Sequence, residues 1–180
     1  MAICNPTGSL SVTIREEIRL PNGNMEQSIN TEVITDVNQI MKRTDTIAPT
    51  FSGSGIEILR FVDSEEQQTA GSFVRDTVKY MRFTNLCSTN FVSLYLIQDS
   101  PEAQNPNTGN VGSGDESLFK LDAGKSMVFS NAQFQGTDYY DYVVEGYVDI
   151  QYFSSFASLS SIKAKADTAN VQIEYFVASS

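Results

Sequence analysis

A catalytic chain needs a nucleophile, acid or base held in place by its neighbours, and this chain of 180 residues has no histidine. That removes the commonest general base and the commonest transition-metal ligand. It also removes any Ser–His or Cys–His pair within one chain. The two cysteines, Cys4 and Cys87, are too few for a disulfide framework or a zinc ligand set. Neither has a basic cluster beside it to lower its pKa, and they read as two unrelated free thiols, Cys4 near the N-terminus and Cys87 in a turn. Paired carboxylates can hydrolyse a glycoside; the candidates are Glu145 with Asp149, or Glu57 with a distant partner. They read instead as solvated strand and loop carboxylates. Asp138 and Asp141, with nearby carbonyls, make an acidic loop of the kind calcium can use, but no EF-hand pattern accompanies them. Gly112-Ser113-Gly114 lacks the strand-to-helix context of a phosphate-binding loop. The reading assigns no catalytic residue, no metal ligand and no cofactor, and expects a protein that is not an enzyme. One further cluster, Tyr139, Tyr140, Tyr142, Tyr147 and Tyr152, either packs on strands or forms an interface, since tyrosine is enriched at protein contacts.

The elements that would carry such residues follow from composition and periodicity. Hydrophobic residues make up 41% and aromatics 11% of the chain, enough for a folded core, and the length suits one domain. The formal net charge is −10, which disfavours nucleic acid and anionic membranes as partners because both call for a positive patch. No basic region followed by an apolar run opens the chain, and no apolar run approaches the roughly 20 residues of a membrane helix. The expectation is a soluble protein made in the cytoplasm.

Leu10, Val12, Ile14, Ile18 and Leu20 alternate with polar residues, the pattern of a strand with one face in a core. After the turn cluster Pro21-Asn22-Gly23-Asn24, the alternation resumes with Met25, Ile29, Val33 and Val37, which predicts a hairpin with a long, bent or bulged second strand. Residues 40–47 are ambiguous, 56–62 read as a strand, and 63–69 as an acidic exposed turn or short helix. Residues 78–86 and 91–97 predict the clearest hairpin, with Met81 and Phe83 inward. Residues 117–121 and 126–129 predict another, about Asp122-Ala123-Gly124-Lys125. Between these pairs, 99–115 is rich in Gly, Pro, Asn and Ser and reads as a long exposed loop. Residues 143–151 read as stranded. Phe153, Phe156, Leu159 and Ile162 recur every third residue, as in a short helical turn or a wrapped loop packed on the core, and Val171, Ile173, Tyr175 and Val177 close the chain as a strand. About nine or ten short strands without an amphipathic helix predict an all-β, antiparallel sandwich, jelly-roll-like. It would occupy residues 10–180 behind a flexible N-terminal arm, 1–9.

Several blocks are familiar as well. Val74-Arg75-Asp76-Thr77-Val78-Lys79-Tyr80-Met81-Arg82-Phe83-Thr84-Asn85-Leu86, then Thr89-Asn90-Phe91-Val92, resembles a segment of virion structural proteins of marine cyanophages and related phages. Phe119-Lys120-Leu121-Asp122-Ala123-Gly124-Lys125-Ser126 resembles the family's next block, and Ser160-Ser161-Ile162-Lys163-Ala164-Lys165-Ala166-Asp167-Thr168-Ala169 with the tail 171–179 resembles its C-terminal block. The similarity runs from about Val12 to the end. The loop 99–115 and the tyrosine-rich stretch depart from it. The resemblance implies a capsid decoration or cement protein on the outer head surface. Such a protein would bridge subunits of the major capsid protein and self-associate as a trimer or dimer on the particle. A tail, baseplate or fibre-associated subunit is the alternative within the virion, and a carbohydrate-binding jelly roll for host attachment is the alternative outside that class, weakened by the absence of tryptophan.

Overall fold

The computed structural model describes residues 8–21, 23, 25–49, 55–98, 116–130, 156 and 159–180. Eleven strands lie among them, and the only helical elements of any length among the described residues are single 3-10 turns at Glu65–Gln67 and Arg75–Thr77. The loop at 99–115, the tyrosine-rich stretch and the strand expected at 143–151 lie outside the described residues, as do Cys4, Asp138, Asp141, Glu145, Asp149 and Phe153.

The strands are β1 (Gly8–Arg19), β2 (Met25–Val37), β3 (Gln39–Ile47), β4 (Ile56–Val62), β5 (Ser72–Val74), β6 (Val78–Asn85), β7 (Val92–Gln98), β8 (Glu116–Leu121), β9 (Ser126–Ser130), β10 (Leu159–Ala166) and β11 (Val171–Ser179). Two sheets make a sandwich, one in the order β3-β11-β6-β9 and the other β5-β4-β10-β7-β8. Without the short β5, which pairs parallel to β4, eight antiparallel strands remain, in the orders first-eighth-third-sixth and second-seventh-fourth-fifth. This is the strand order of a jelly roll.

Alternation along each strand fills the space between the sheets. Met81 and Phe83 of β6, Ile173, Tyr175 and Val177 of β11, and Leu94 and Leu96 of β7 are all buried to 1% exposure or less. With Leu59, Phe61, Phe73 and Ile162 they form one continuous cluster. Phe83 stacks on Tyr175 at 6.3 Å and meets Phe129 edge-on at 6.1 Å, geometries that add to simple area burial. Tyr175 ends in a hydroxyl, and Oη donates to Asp45 Oδ2 at 2.6 Å. Burial first, and then this carboxylate, push its pKa well above the ordinary phenol range.

Several local expectations change. Residues 40–47, ambiguous in sequence, form β3, an edge strand held along its length by β11. Leu159 and Ile162 belong to strand β10 and neither to a helical turn nor to a wrapped loop; a register shift between Leu159 and Ser161 against β7 breaks the period of two that would have signalled it. The two later hairpins are not hairpins. β6 pairs with β11 and β9 while β7 pairs with β10 and β8, so residues 86–91 arch from one sheet to the other. Residues 122–125 do the same between β8 and β9, which lie in opposite sheets. The turn chemistry expected there is present: Gly124 has φ +68° and Lys125 N–H donates to Asp122 O at 3.1 Å.

Asn85 fastens the arched end. Fully buried at the end of β6, it donates from Nδ2 to the carbonyls of Asn90 (2.9 Å) and Leu121 (3.1 Å), and its Oδ1 accepts from Cys87 N–H at 2.9 Å. One side chain thereby ties the four-stranded sheet, the 86–91 arch and the opposite sheet together, with each of its bonded polar atoms satisfied.

Candidate interaction surface

β1 and β2 form a two-stranded sheet of their own. Its base lies on the outer face of the four-stranded sheet, where Leu10, Val12 and Ile34 pack, with Val128 and Phe176, against the buried Val37, Tyr80 and Ala178. The strand begins at Gly8, within the stretch expected as a free arm. Asp36, at φ +59°, sits where the register slips between Gly8↔Val37 and Leu10↔Ile34. This is the bulge that the length of β2 suggested, and a bulge re-aims a strand. Beyond it, the ribbon continues through ten successive pairs from Leu10↔Ile34 to Arg19↔Met25.

The core-facing alternation read into β1 is overturned along most of its length. Ile14 is 47% exposed and Ile18 55% exposed, and on β2 both Met25 and Ile29 are 62% exposed. The register explains why. Residues directly opposite in an antiparallel pair point to the same side. One face therefore carries Leu10, Val12, Ile14, Glu16 and Ile18 against Ile34, Glu32, Asn30, Ser28 and Glu26; the other carries Ser11, Thr13, Arg15, Glu17 and Arg19 against Val33, Thr31, Ile29, Gln27 and Met25. Beyond the base, where Ile34 joins Leu10 and Val12, the apolar residues of the two strands fall on opposite faces, so neither face can be closed by the ribbon itself. The Thr13 and Thr31 hydroxyls meet across the second face at 3.1 Å, as the register requires.

The faces differ in charge. On the second, Arg15 and Arg19 flank Glu17 at 3.6 and 2.8 Å, and the Gln27 carbonyl oxygen, in the amide orientation that satisfies both groups, accepts from Arg15 Nη2 and Nε at 2.8 and 2.6 Å. The first carries Glu16, Glu26 and Glu32 with no ion pair to any of them among the described residues. Glu32 is close enough to the sandwich to help raise the Tyr80 pKa, although burial is the larger cause.

The residues with reactive chemistry are less organised. Glu57, on β4, is paired with Arg60 at 3.1 Å beside an open recess of about 310 Å3 that also touches Phe61 and Ser160; its charged neighbour is a cation, not the second carboxylate a glycosidase requires. No group of three or more metal-ligating side chains occurs among the described residues, and no helix there is long and apolar enough to cross a membrane. Cys87 carries a free thiol. Its pKa is lowered to about 7 by hydrogen bonds from the Thr89 and Asn90 backbone N–H groups. The absence of nearby cations in sequence therefore did not leave this thiol at its ordinary pKa, because turn amides stabilise the thiolate as cations would. Comparison with protein-family models, with curated proteins and with solved structures finds no match.

Proposed function

We propose that the chain is a phage virion structural protein without catalytic activity, placed on the outer surface of the head as a decoration or cement protein that contacts major capsid subunits. The observation that carries this reading is the ribbon: a rigidly based projection with large apolar side chains exposed on both faces. An exposed apolar surface of that kind marks a protein contact, and a repeating shell provides many copies of one partner, so that modest contacts add through avidity. The blocks that resemble marine-phage virion proteins support it in a complementary way. They fall on β6, the β8–β9 arch, β10 and β11, which build the sandwich and present the ribbon.

The test is co-sedimentation of the purified chain with heads that lack it, followed by counting copies per particle. Binding in large, symmetry-related numbers, with heads that then resist heat or low salt, is the expected result. Failure to bind heads, with the chain found only on isolated tails in small six- or twelve-fold numbers, overturns the head assignment in favour of a tail subunit.

A further inference from the structure

We propose that the β1–β2 ribbon is the self-assembly element of this protein: its acidic face seats on the arginine-bearing face of the ribbon of a second copy, and repetition of this contact closes a ring. The proposal concerns contacts between copies and does not depend on what the assembled protein binds.

Three features of the ribbon select this occupant. The first is that each face offers what the other lacks. The face with Ile14 and Ile18 carries Glu16, Glu26 and Glu32, and the opposite face carries Arg15 and Arg19, which outnumber the Glu17 paired between them, beside Ile29 and Met25. Face to face, two copies would match apolar with apolar side chains and carboxylates with guanidiniums, an arrangement that favours correct pairing over like-charge contact. In a chain of net charge −10 two copies otherwise repel, and these arginines are among only 12 basic residues.

The second is symmetry. A contact between two different faces is head-to-tail: it leaves one face open at each end of a pair, and ends only in a closed ring or an open filament. The base of each ribbon is held on its own sandwich by Leu10, Val12 and Ile34. That fixes its direction relative to the body, so every junction repeats one rotation, which we take to be one that closes.

The third is area. The acidic face is free only beyond the base, over the pairs from Ile14↔Asn30 to Arg19↔Met25; at a rise of about 3.4 Å this is roughly 20 Å of ribbon about 10 Å wide, so one face offers roughly 200 Å2 and one junction roughly 400 Å2 in total. A stable stand-alone pair needs about 1,200 Å2 or more. A single junction falls short by about two thirds. A ring, in which each copy uses both faces, doubles the area per copy, so the ring forms without an accumulating dimer.

The experiment is sedimentation equilibrium and native mass spectrometry of the full chain. The wild type is expected as one closed oligomer that dissociates to monomer, without a dimer, as salt rises and screens the exposed charges. Arg15→Glu with Arg19→Glu makes both faces acidic and is expected to give monomer. Glu16→Lys with Glu26→Lys makes both faces basic and is expected to do the same. Combining all four exchanges the signs of the two faces and is expected to restore the ring, which a ribbon merely unfolded by substitution would not do. A wild type that stays monomeric at roughly 100 µM, a concentration at which contacts of ordinary micromolar strength are saturated, overturns the proposal and reserves the ribbon for a different chain. So does an assembly that survives either pair of substitutions, or one not restored by all four. Head binding by a chain that remains monomeric would leave the virion reading standing while ending this one.

Discussion

Replacing Asn85 with alanine tests whether the arched end of the sandwich is held as described. The side chain makes three hydrogen bonds, to Leu121 O, Asn90 O and Cys87 N–H. The bond to Leu121 O is buried, and alanine leaves that carbonyl without its partner, at a cost of about 1–3 kcal/mol. The other two are only partly buried, so water recovers part of each, and they contribute about 0.5–1 kcal/mol apiece. The sum is about 3 kcal/mol, which in a domain of this size lowers Tm by about 6–12 °C. Tyrosine fluorescence suits the measurement, because the chain has eight tyrosines and no tryptophan, and urea unfolding separates a stability change from a change in the denatured state through the slope. Asn85→Asp is the companion. It keeps an acceptor for Cys87 N–H but turns a second carboxylate oxygen toward two carbonyls, which disfavours the charged form and raises its folded pKa. Its native state then binds more protons than its unfolded state, so its stability falls as pH rises through the carboxylate range, opposite to an ordinary salt-bridged aspartate. A loss under about 1 kcal/mol for Asn85→Ala at unchanged slope, or an Asn85→Asp variant that is stabilised as pH rises there, would refute this account of the arch.

Tyr175→Phe removes the hydroxyl that donates to Asp45 at 2.6 Å; with Asp45 still paired to Arg43 at 2.9 Å, the expected cost is about 1.5–2 kcal/mol by urea unfolding, and no measurable cost would mean the bond is idle. Gly55 has φ +85°, and a Cβ there would lie 2.2 Å from Ala164 O. Gly55→Ala is therefore expected to lose about 3 kcal/mol or to fail to fold, whereas Gly23→Ala, where a Cβ meets nothing, loses only the strain of its positive φ. Cys87 should react with iodoacetamide at a rate that rises with pH around a midpoint of about 7. The sign of the linked effect follows: the folded thiol ionises before the unfolded one, so this group favours the folded state increasingly above pH 7 and ceases to do so as pH falls through its folded pKa. A midpoint near that of a free thiol would contradict the hydrogen bonds from Thr89 and Asn90.

Alternation in residues 78–86 and 171–179 was enough to turn Met81 and Phe83 inward, to put Tyr175 and Val177 on one side of a closing strand and, with the other short strands, to name an all-β sandwich, because the strand period of two decides which side chains share a face whatever the strand pairs with. For the same reason alternation could not name the partner. An in-plane hairpin and an arch between sheets bury the same residues, and only the long-range ladders β6-β11 and β7-β10 separate them. Asn85 lies within a block that resembles the phage proteins, but its three-way bond depends on Leu121 arriving from the other sheet. The lowered thiol of Cys87 likewise depends on the folded turn that aims two amides at its sulfur. The ribbon is the sharpest case. Each of its strands alternates as a core strand does, and each pattern was legible alone. Which face the two patterns share is a matter of register, and a slip of one residue moves every side chain of a strand to the other face. The pairing of Arg19 with Met25 at the end of the ribbon fixes that register. It places the isoleucines of β1 on the face opposite Met25 and Ile29 of β2, so that two strands patterned for a core become, in the fold, an exposed surface with two sides.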